Sequence, residues 1–405
     1  MRDEKHSGPD PFATLRRRVR DFVAHQVIPA EDALDAGAAA AWERLRRQAT
    51  TAGVWALPLP SEYGGGGLPL AEYLALAEDE GRSDHGPDAL GSSALLTVRM
   101  LAAHAHPALR DGLLPDLVSG KRRAAYAMTE PGVAGSDPAG LRTRAVAAGD
   151  GWRLTGRKWF TTGAARADFV VVVVRTSDGP VREALSMLVV PTDTPGYRVV
   201  RELDVLGAGG QSEIAFDNVF VPATHLVGAV GAGSTFAGER LALGRTLRAL
   251  RWIGQAQRAV EQLAARAAAR PLGGGVLADR QLAQQHLFEA ELAVRSARLL
   301  TVRAAELVAA ELPAQIEVSM AKVAAARALG TAVDSAIQIY GAEGLTAATG
   351  LPRLLRIARA ARILDGADEF HISATARRLT RRYLHDPRPS AGDPPICPSA
   401  PSEPS

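Results

Sequence analysis

The stretch Tyr126-Ala127-Met128-Thr129-Glu130-Pro131-Gly132-Val133-Ala134-Gly135-Ser136-Asp137, followed one hairpin later by Gly156-Arg157-Lys158-Trp159-Phe160-Thr161-Thr162-Gly163, marks where the chain turns from helix to strand. Before it, Leu15, Val19, Phe22, Val23 and Val27 recur at three- and four-residue spacings, which predicts a helix punctuated by Pro29. A second helix is expected around Trp42 to Ala52. Prolines and glycines between Gly53 and Gly67 enforce a loop, and helices resume at Leu70 and run with breaks to Leu117. After the first motif, Gly149-Asp150-Gly151 reads as the turn of a hairpin joining Arg144 to Ala148 with Trp152 to Thr155. Phe169 to Arg175, Ala184 to Val190, Tyr197 to Arg201 and Glu213 to Val221 read as further strands. Past Gly233 the helical period returns, with Leu243, Leu247, Leu250, Ile253, Ala256, Val260 and Leu263 on one face. Two more long helices are expected, from about Arg280 to Leu312 and from Gln315 to Tyr340, and shorter ones flank Asp365. The fold class is therefore α+β and mainly α: an N-terminal helical domain over 1–124, a central antiparallel β domain over 125–228, and a C-terminal helical bundle over 229–385. The Pro- and Ser-rich segment 386–405 holds too little apolar surface to offset its ordering entropy, and is expected to be disordered.

Composition narrows the function classes. A chain of 405 residues is too long for one ordinary core. Its net charge of +3 is spread without a basic run or a basic strip interleaved with aromatics, so nucleic acid is excluded as a partner. The first residues lack the apolar core of a signal peptide, and nothing later supplies the roughly twenty apolar residues of a membrane span, so a cytoplasmic protein is expected. The only cysteine, Cys397, leaves no internal disulfide or thiolate metal site. His25, His85, His104, His106 and His371 lack ligand spacing, so no metal is expected and they read as surface or core residues.

The two opening motifs resemble those of the acyl-CoA dehydrogenase family. The resemblance covers about Phe12 to Tyr383 and implies FAD held between the β domain and a C-terminal four-helix bundle. It places Tyr126, Met128, Thr129, Gly135 and Ser136 along the flavin or the acyl chain, with Phe160 and Thr162 at the isoalloxazine. Phe160 stands where Trp is usual, and stacking survives because any aromatic face can serve. Glu130 and Asp137 are implied to shape the loop. Further on, Arg270-Pro271-Leu272-Gly273-Gly274-Gly275 with Gln281 resembles the segment that reaches the FAD of a neighbouring subunit, although Gly273 replaces a Phe. Arg270 would pair with pyrophosphate. Gln338-Ile339-Tyr340-Gly341-Ala342 resembles the segment that meets the adenosine half, with Ala342 at a usual Gly. A flexible loop and a helix C-cap are the plain alternatives for these two stretches.

The segment Arg359-Ala360-Ala361-Arg362-Ile363-Leu364-Asp365-Gly366-Ala367-Asp368-Glu369-Phe370-His371 carries the chemistry. Most of the family has Glu-Gly-Thr at 365–367, and that Glu removes the substrate α-proton. This chain is closer to a subgroup with Asp-Gly-Pro-Asp-Glu. Asp365 is thus implied to be the base while the β-hydrogen leaves as hydride to flavin N5, and Ala367 and Glu369 join the cofactor contacts. Arg245 matches an arginine that supports the base and its loop, and Gly244 stands where some members carry the base instead. The implied partners are an acyl-CoA or acyl-carrier thioester, an electron-transferring flavoprotein as acceptor, and further copies in a homodimer or homotetramer. Two rivals stay open. One is a flavin oxidase or monooxygenase on the same fold, including nitroalkane-oxidase-like chemistry; the other is a non-catalytic helical scaffold, suggested by Gly273, Ala342 and Ala367.

Overall fold

A computed structural model describes residues 10–385, so the expected disordered tail lies outside the described residues. The principal N-terminal helices are α1 (Pro11–Phe22), α2 (Ala39–Thr51), α3 (Leu70–Glu80), α4 (Leu95–His104) and α5 (Pro107–Val118). After α1 the backbone loosens into a π turn, Val23–Val27, and then a 3-10 turn containing Pro29, whose missing N–H cannot continue the ladder. Seven strands follow: β1 (Ala124–Ala127), β2 (Arg144–Ala148), β3 (Gly151–Thr162), β4 (Phe169–Arg175), β5 (Leu185–Pro191), β6 (Tyr197–Val205) and β7 (Ala208–Pro222). The C-terminal part holds α6 (Gly233–Ala269), α7 (Gln281–Ala309), α8 (Gln315–Tyr340), α9 (Leu351–Ala361) and α10 (Asp368–His385). None of the described helices is long and apolar enough to cross a membrane.

The expectation of an antiparallel β unit needs one correction. The strands pair antiparallel except where β4 meets β1 and the start of β2, both of which run parallel to it. A chain arriving from α5 enters beside β4 in the same direction, which no hairpin signal announces. β4 and β5 are buried along both faces, and this explains their unbroken apolar runs. Phe169, Val171 and Val173 pack with Leu101, Leu114 and Leu247 of the helices, while Val170, Val172 and Val174 pack with Leu154, Ile214 and Val219 inside the β domain. Strand periodicity therefore makes one wall serve two cores. Tyr126 and Met128 lean toward the helical core from the end of β1.

The bundle is packed through small residues, among them Ala249, Ala256, Ala259, Ala325, Ala328 and Ala332, which let helix axes approach closely. A Cβ added at Gly254 of α6 would lie 2.1 Å from the Glu78 carbonyl oxygen of α3, so this glycine is required by contact with the N-terminal domain.

Candidate active site

β3 carries the first half of the site. Its register against β7 slips between Lys158 and Thr161, and Phe160 within the slip adopts a φ of 48°. Bulges re-aim side chains, and a positive φ at a bulky residue persists only where the surroundings impose it. Phe160 is consequently 46% exposed, with Trp159 edge-on at 5.0 Å. Next to it the Thr162 hydroxyl accepts from Gln211 Nε2 at 3.0 Å. The two opening motifs are bonded to each other: Thr129 Oγ1 donates to the Trp159 carbonyl at 2.6 Å, and the Trp159 N–H to the Thr129 carbonyl at 3.0 Å. Beneath them lies fully buried Lys158, whose Nζ donates to the Met128 carbonyl and to Glu130, both at 2.8 Å. Glu130 also accepts the N–H groups of Arg142 and Thr143 at 2.7 and 2.9 Å, so it does shape the loop. Burial pushes the Lys158 ammonium down to about 8 despite Glu130. Burial alone would raise the Glu130 carboxyl, but Lys158 and the two N–H groups hold it below its usual range.

The second half is the turn between α9 and α10. Asp365 sits there with a φ of 56°, followed by Gly366 at 101°, where a Cβ would fall 2.8 Å from His371 Nε2. The Asp365 carbonyl accepts from Arg245 Nε at 2.8 Å and from His371 Nε2 at 3.1 Å. Arg245 thus meets the turn through its backbone and not through the carboxylate. The carboxylate itself faces Arg248, 3.6 Å from its Oδ2, and its side chain is 32% exposed. Burial lowers the Arg245 guanidinium, with Asp365 opposing.

His371 has a larger part than its sequence setting suggested. Because Nε2 faces a carbonyl, that nitrogen carries the hydrogen, and Nδ1 accepts from Ser319 Oγ at 3.1 Å. Burial pushes its pKa down to about 4 from 6.5, against the Asp365 carbonyl and with help from the Arg245 and Lys322 charges. The folded state therefore binds no proton there between pH 6.5 and 4, whereas the unfolded chain does. Stability from this group is complete above pH 6.5 and is lost as pH falls toward 4, by up to about 3 kcal/mol. Denaturant titrations of wild type and His371→Gln across that window should show a shallower acid loss in the variant; equal slopes would assign the loss elsewhere.

Arg240 joins the halves, and sequence reasoning missed it. Its guanidinium carbon lies 4.3 Å over the Tyr126 ring, and its Nη1 is 3.3 Å from Thr97 Oγ1 of α4. Burial lowers its pKa, while Tyr126 and Asp365 oppose that shift. Burial pushes the Tyr126 phenol up to about 12, against the Arg240 charge. The signal was present: Arg240, Gly244 and Arg248 are spaced by four on one helix face, directly beside Arg245.

The other candidates lie elsewhere. Gly135 and Ser136 are exposed on the loop after β1, and Asp137 caps Ala139 at 3.0 Å. Ala367 accepts the His371 N–H at 3.2 Å, and Glu369 is exposed in the first turn of α10. Arg270 Nη1 donates to the Tyr340 carbonyl at 3.2 Å, which brings it to Gly341 and Ala342 at the end of α8. Gln338 is exposed in that last turn, and Gln281 opens α7. Ser319 and Gln338 are nineteen residues apart on α8, about 28 Å at the helical rise. The Arg270 group and the Asp365 turn therefore cannot grip one end of a ligand. Gly273 and Gly274, with φ of 55° and 83°, form the tight turn between the two-residue strands β8 (Pro271–Leu272) and β9 (Gly275–Val276). Both positive values explain why a bulky residue is absent at 273.

An exposed aromatic face at Phe160, with the Thr162 hydroxyl two residues on in the same strand, fits a planar heteroaromatic group with a polar rim. Three family models match in sequence: the acyl-CoA dehydrogenase N-terminal domain over residues 12–121, the middle domain over 125–219 and the C-terminal domain over 231–380. The chain is 37% identical to the probable acyl-CoA dehydrogenase FadE2 of Mycobacterium tuberculosis, with 89% of this chain and 93% of that protein aligned. It is 31% identical to human acyl-CoA dehydrogenase family member 11 over 89% of its own length but spans only 49% of that larger protein. Among solved structures, the glutaryl-coenzyme A dehydrogenase in complex with glutaryl-CoA superposes with a TM-score of 0.84 at 25% identity, covering 93% of this chain and 97% of that one. The acyl-CoA dehydrogenase of Geobacillus kaustophilus superposes with a TM-score of 0.83 at 25% identity, covering 92% and 99%. Matched along nearly all its described length, the chain belongs to the acyl-CoA dehydrogenase family of oxidoreductases.

Proposed function

We propose that the protein is an FAD-dependent dehydrogenase that desaturates an acyl thioester between its α and β carbons, with Asp365 as the base. The observation that carries this reading is the Asp365 turn. Two donors, Arg245 and His371, fix its carbonyl, while its carboxylate, beside Arg248, stays partly exposed. A base held by its backbone with a partly open carboxylate is arranged to receive a proton.

FAD, when bound, supplies the two-electron acceptor for the β-hydrogen. Phe160 and Thr162 would meet its ring, Thr129, Gly135 and Ser136 its rim, and Arg270, Gln281, Gln338, Gly341 and Ala342 the phosphate and adenosine end. Since about 28 Å of helix separates that last group from the Asp365 turn, a homodimer sharing cofactor contacts suits the arrangement. Asp365 takes the α-proton at its carboxylate. The Asp365 N–H has no hydrogen-bond partner among the described residues, so it can donate to the thioester oxygen as negative charge develops there. An electron-transferring flavoprotein would reoxidise the enzyme.

The test is anaerobic titration of the purified, FAD-loaded protein with a series of acyl-CoA thioesters. Bleaching of the flavin absorbance by at least one of them is expected, and product release as the 2-enoyl thioester should accompany it. Silence across the series would overturn the reading, as would stoichiometric peroxide in air, which marks an oxidase.

A further inference from the structure

We infer that Arg240 is a specificity determinant for an acyl chain bearing an oxyanion, such as a carboxylate, which docks between Arg240 and Thr97. This rests on the acyl-thioester reading above. Several buried or half-buried arginines are matched by acids: Arg258 and Arg353 by Glu31, Arg251 by Glu80, and Arg298 by Glu78. Arg240 is not; among the described residues no carboxylate lies within 4.0 Å of it. Its neighbours are the face of Tyr126 and one hydroxyl, Thr97 Oγ1, at 3.3 Å. A guanidinium offers five donors, and these partners use one of them. A half-buried cation with no acid beside it is completed by an anionic ligand.

Its position suits the acyl chain. Arg240 is one turn before Gly244 on the face of α6 toward α4, where the helices pack so closely that a Cβ at Gly244 would come 3.2 Å from Leu96. Arg245 and Arg248, a turn further on, meet Asp365, so the charge of Arg240 lies just beyond the reacting end. Three arginines, Arg240, Arg245 and Arg248, against the single charge of Asp365 give this side of the site a positive field, which favours an anionic chain over a plain one.

The experiment uses the FAD-loaded enzyme and two matched series of CoA ligands, one methyl-terminated and one ending in a carboxylate, over the same chain lengths. Non-oxidisable thioethers are titrated calorimetrically and the corresponding thioesters are used for anaerobic bleaching. Wild type should bind the best carboxylate-ended thioether at least about tenfold more tightly than its plain counterpart. Arg240→Gln should bring that ratio down to about one, and Arg240→Lys should restore part of it. A wild-type ratio of one overturns the inference even if turnover is intact, and so does an equal loss for both series in Arg240→Gln, which would place Arg240 on the CoA phosphates. If no thioester of either series bleaches the flavin, the dehydrogenase reading itself falls, and the inference with it. Retained flavin in each variant confirms that the fold is kept.

Discussion

Replacing Asp365 with Asn is expected to leave FAD bound and to slow flavin bleaching by the best acyl thioester about a thousandfold, within the range for loss of a general base. Asn is nearly isosteric and also tolerates the left-handed backbone, here a φ of 56°, so the turn should persist. The hydrogen bonds from Arg245 and His371 reach the carbonyl and are untouched by the change. The effect should therefore appear in the rate of reduction, with thioether affinity and thermal stability close to wild type. Stopped-flow reduction under anaerobic conditions measures it. Bleaching at the wild-type rate would remove Asp365 from the chemistry and direct attention to other acids.

A second large effect is expected three residues on, in stability. Asp368 and Lys322 are both essentially unexposed, with Nζ 3.1 Å from Oδ1, and Arg362 and Arg327 approach the other oxygen at 3.3 and 3.5 Å. Burial lowers the Lys322 ammonium, and Asp368 is its principal opposing partner. Asp368→Ala would leave that ammonium buried beside Trp252 without a carboxylate, at a cost of about 3–5 kcal/mol. Asp368 also begins α10, so the same change removes a favourable charge from the helix N-terminus. Urea denaturation of the single variant and of Asp368→Ala with Lys322→Met would separate the contributions. The double variant should recover most of the loss, because an apolar side chain in place of the ammonium no longer needs a partner. A single variant within about 1 kcal/mol of wild type would mean that solvent reaches the pair.

The sequence revealed whatever rests on short-range pattern. The α8 boundaries, the β4 strand and the hairpin follow from periodicity and turn residues, and the structure has them at Gln315–Tyr340, Phe169–Arg175 and Arg144–Thr162. The parallel entry of β1 did not, since nothing local to Ala124–Ala127 specifies which strand it will meet. The same division holds at the site. Asp365 and Arg245 stood out because their neighbours formed a recognisable segment. Arg240 and Arg248 did not, because in an arginine-rich helix a solvated face is the ordinary reading. His371 gained its role only through Ser319 and the Asp365 carbonyl, contacts made across fifty-two residues and around a turn. Phe160 was legible as an aromatic in place of Trp, but not as a bulge, which is a property of its pairing with β7.

The left-handed backbone at Asp365 has a bearing on the descent of this site. Apart from glycine, Asp and Asn accept that conformation at the lowest cost, whereas a longer acid gains nothing from it. The turn and the chemistry thus favour the same short side chain. The preference for a short acid is in this sense recorded in the main chain.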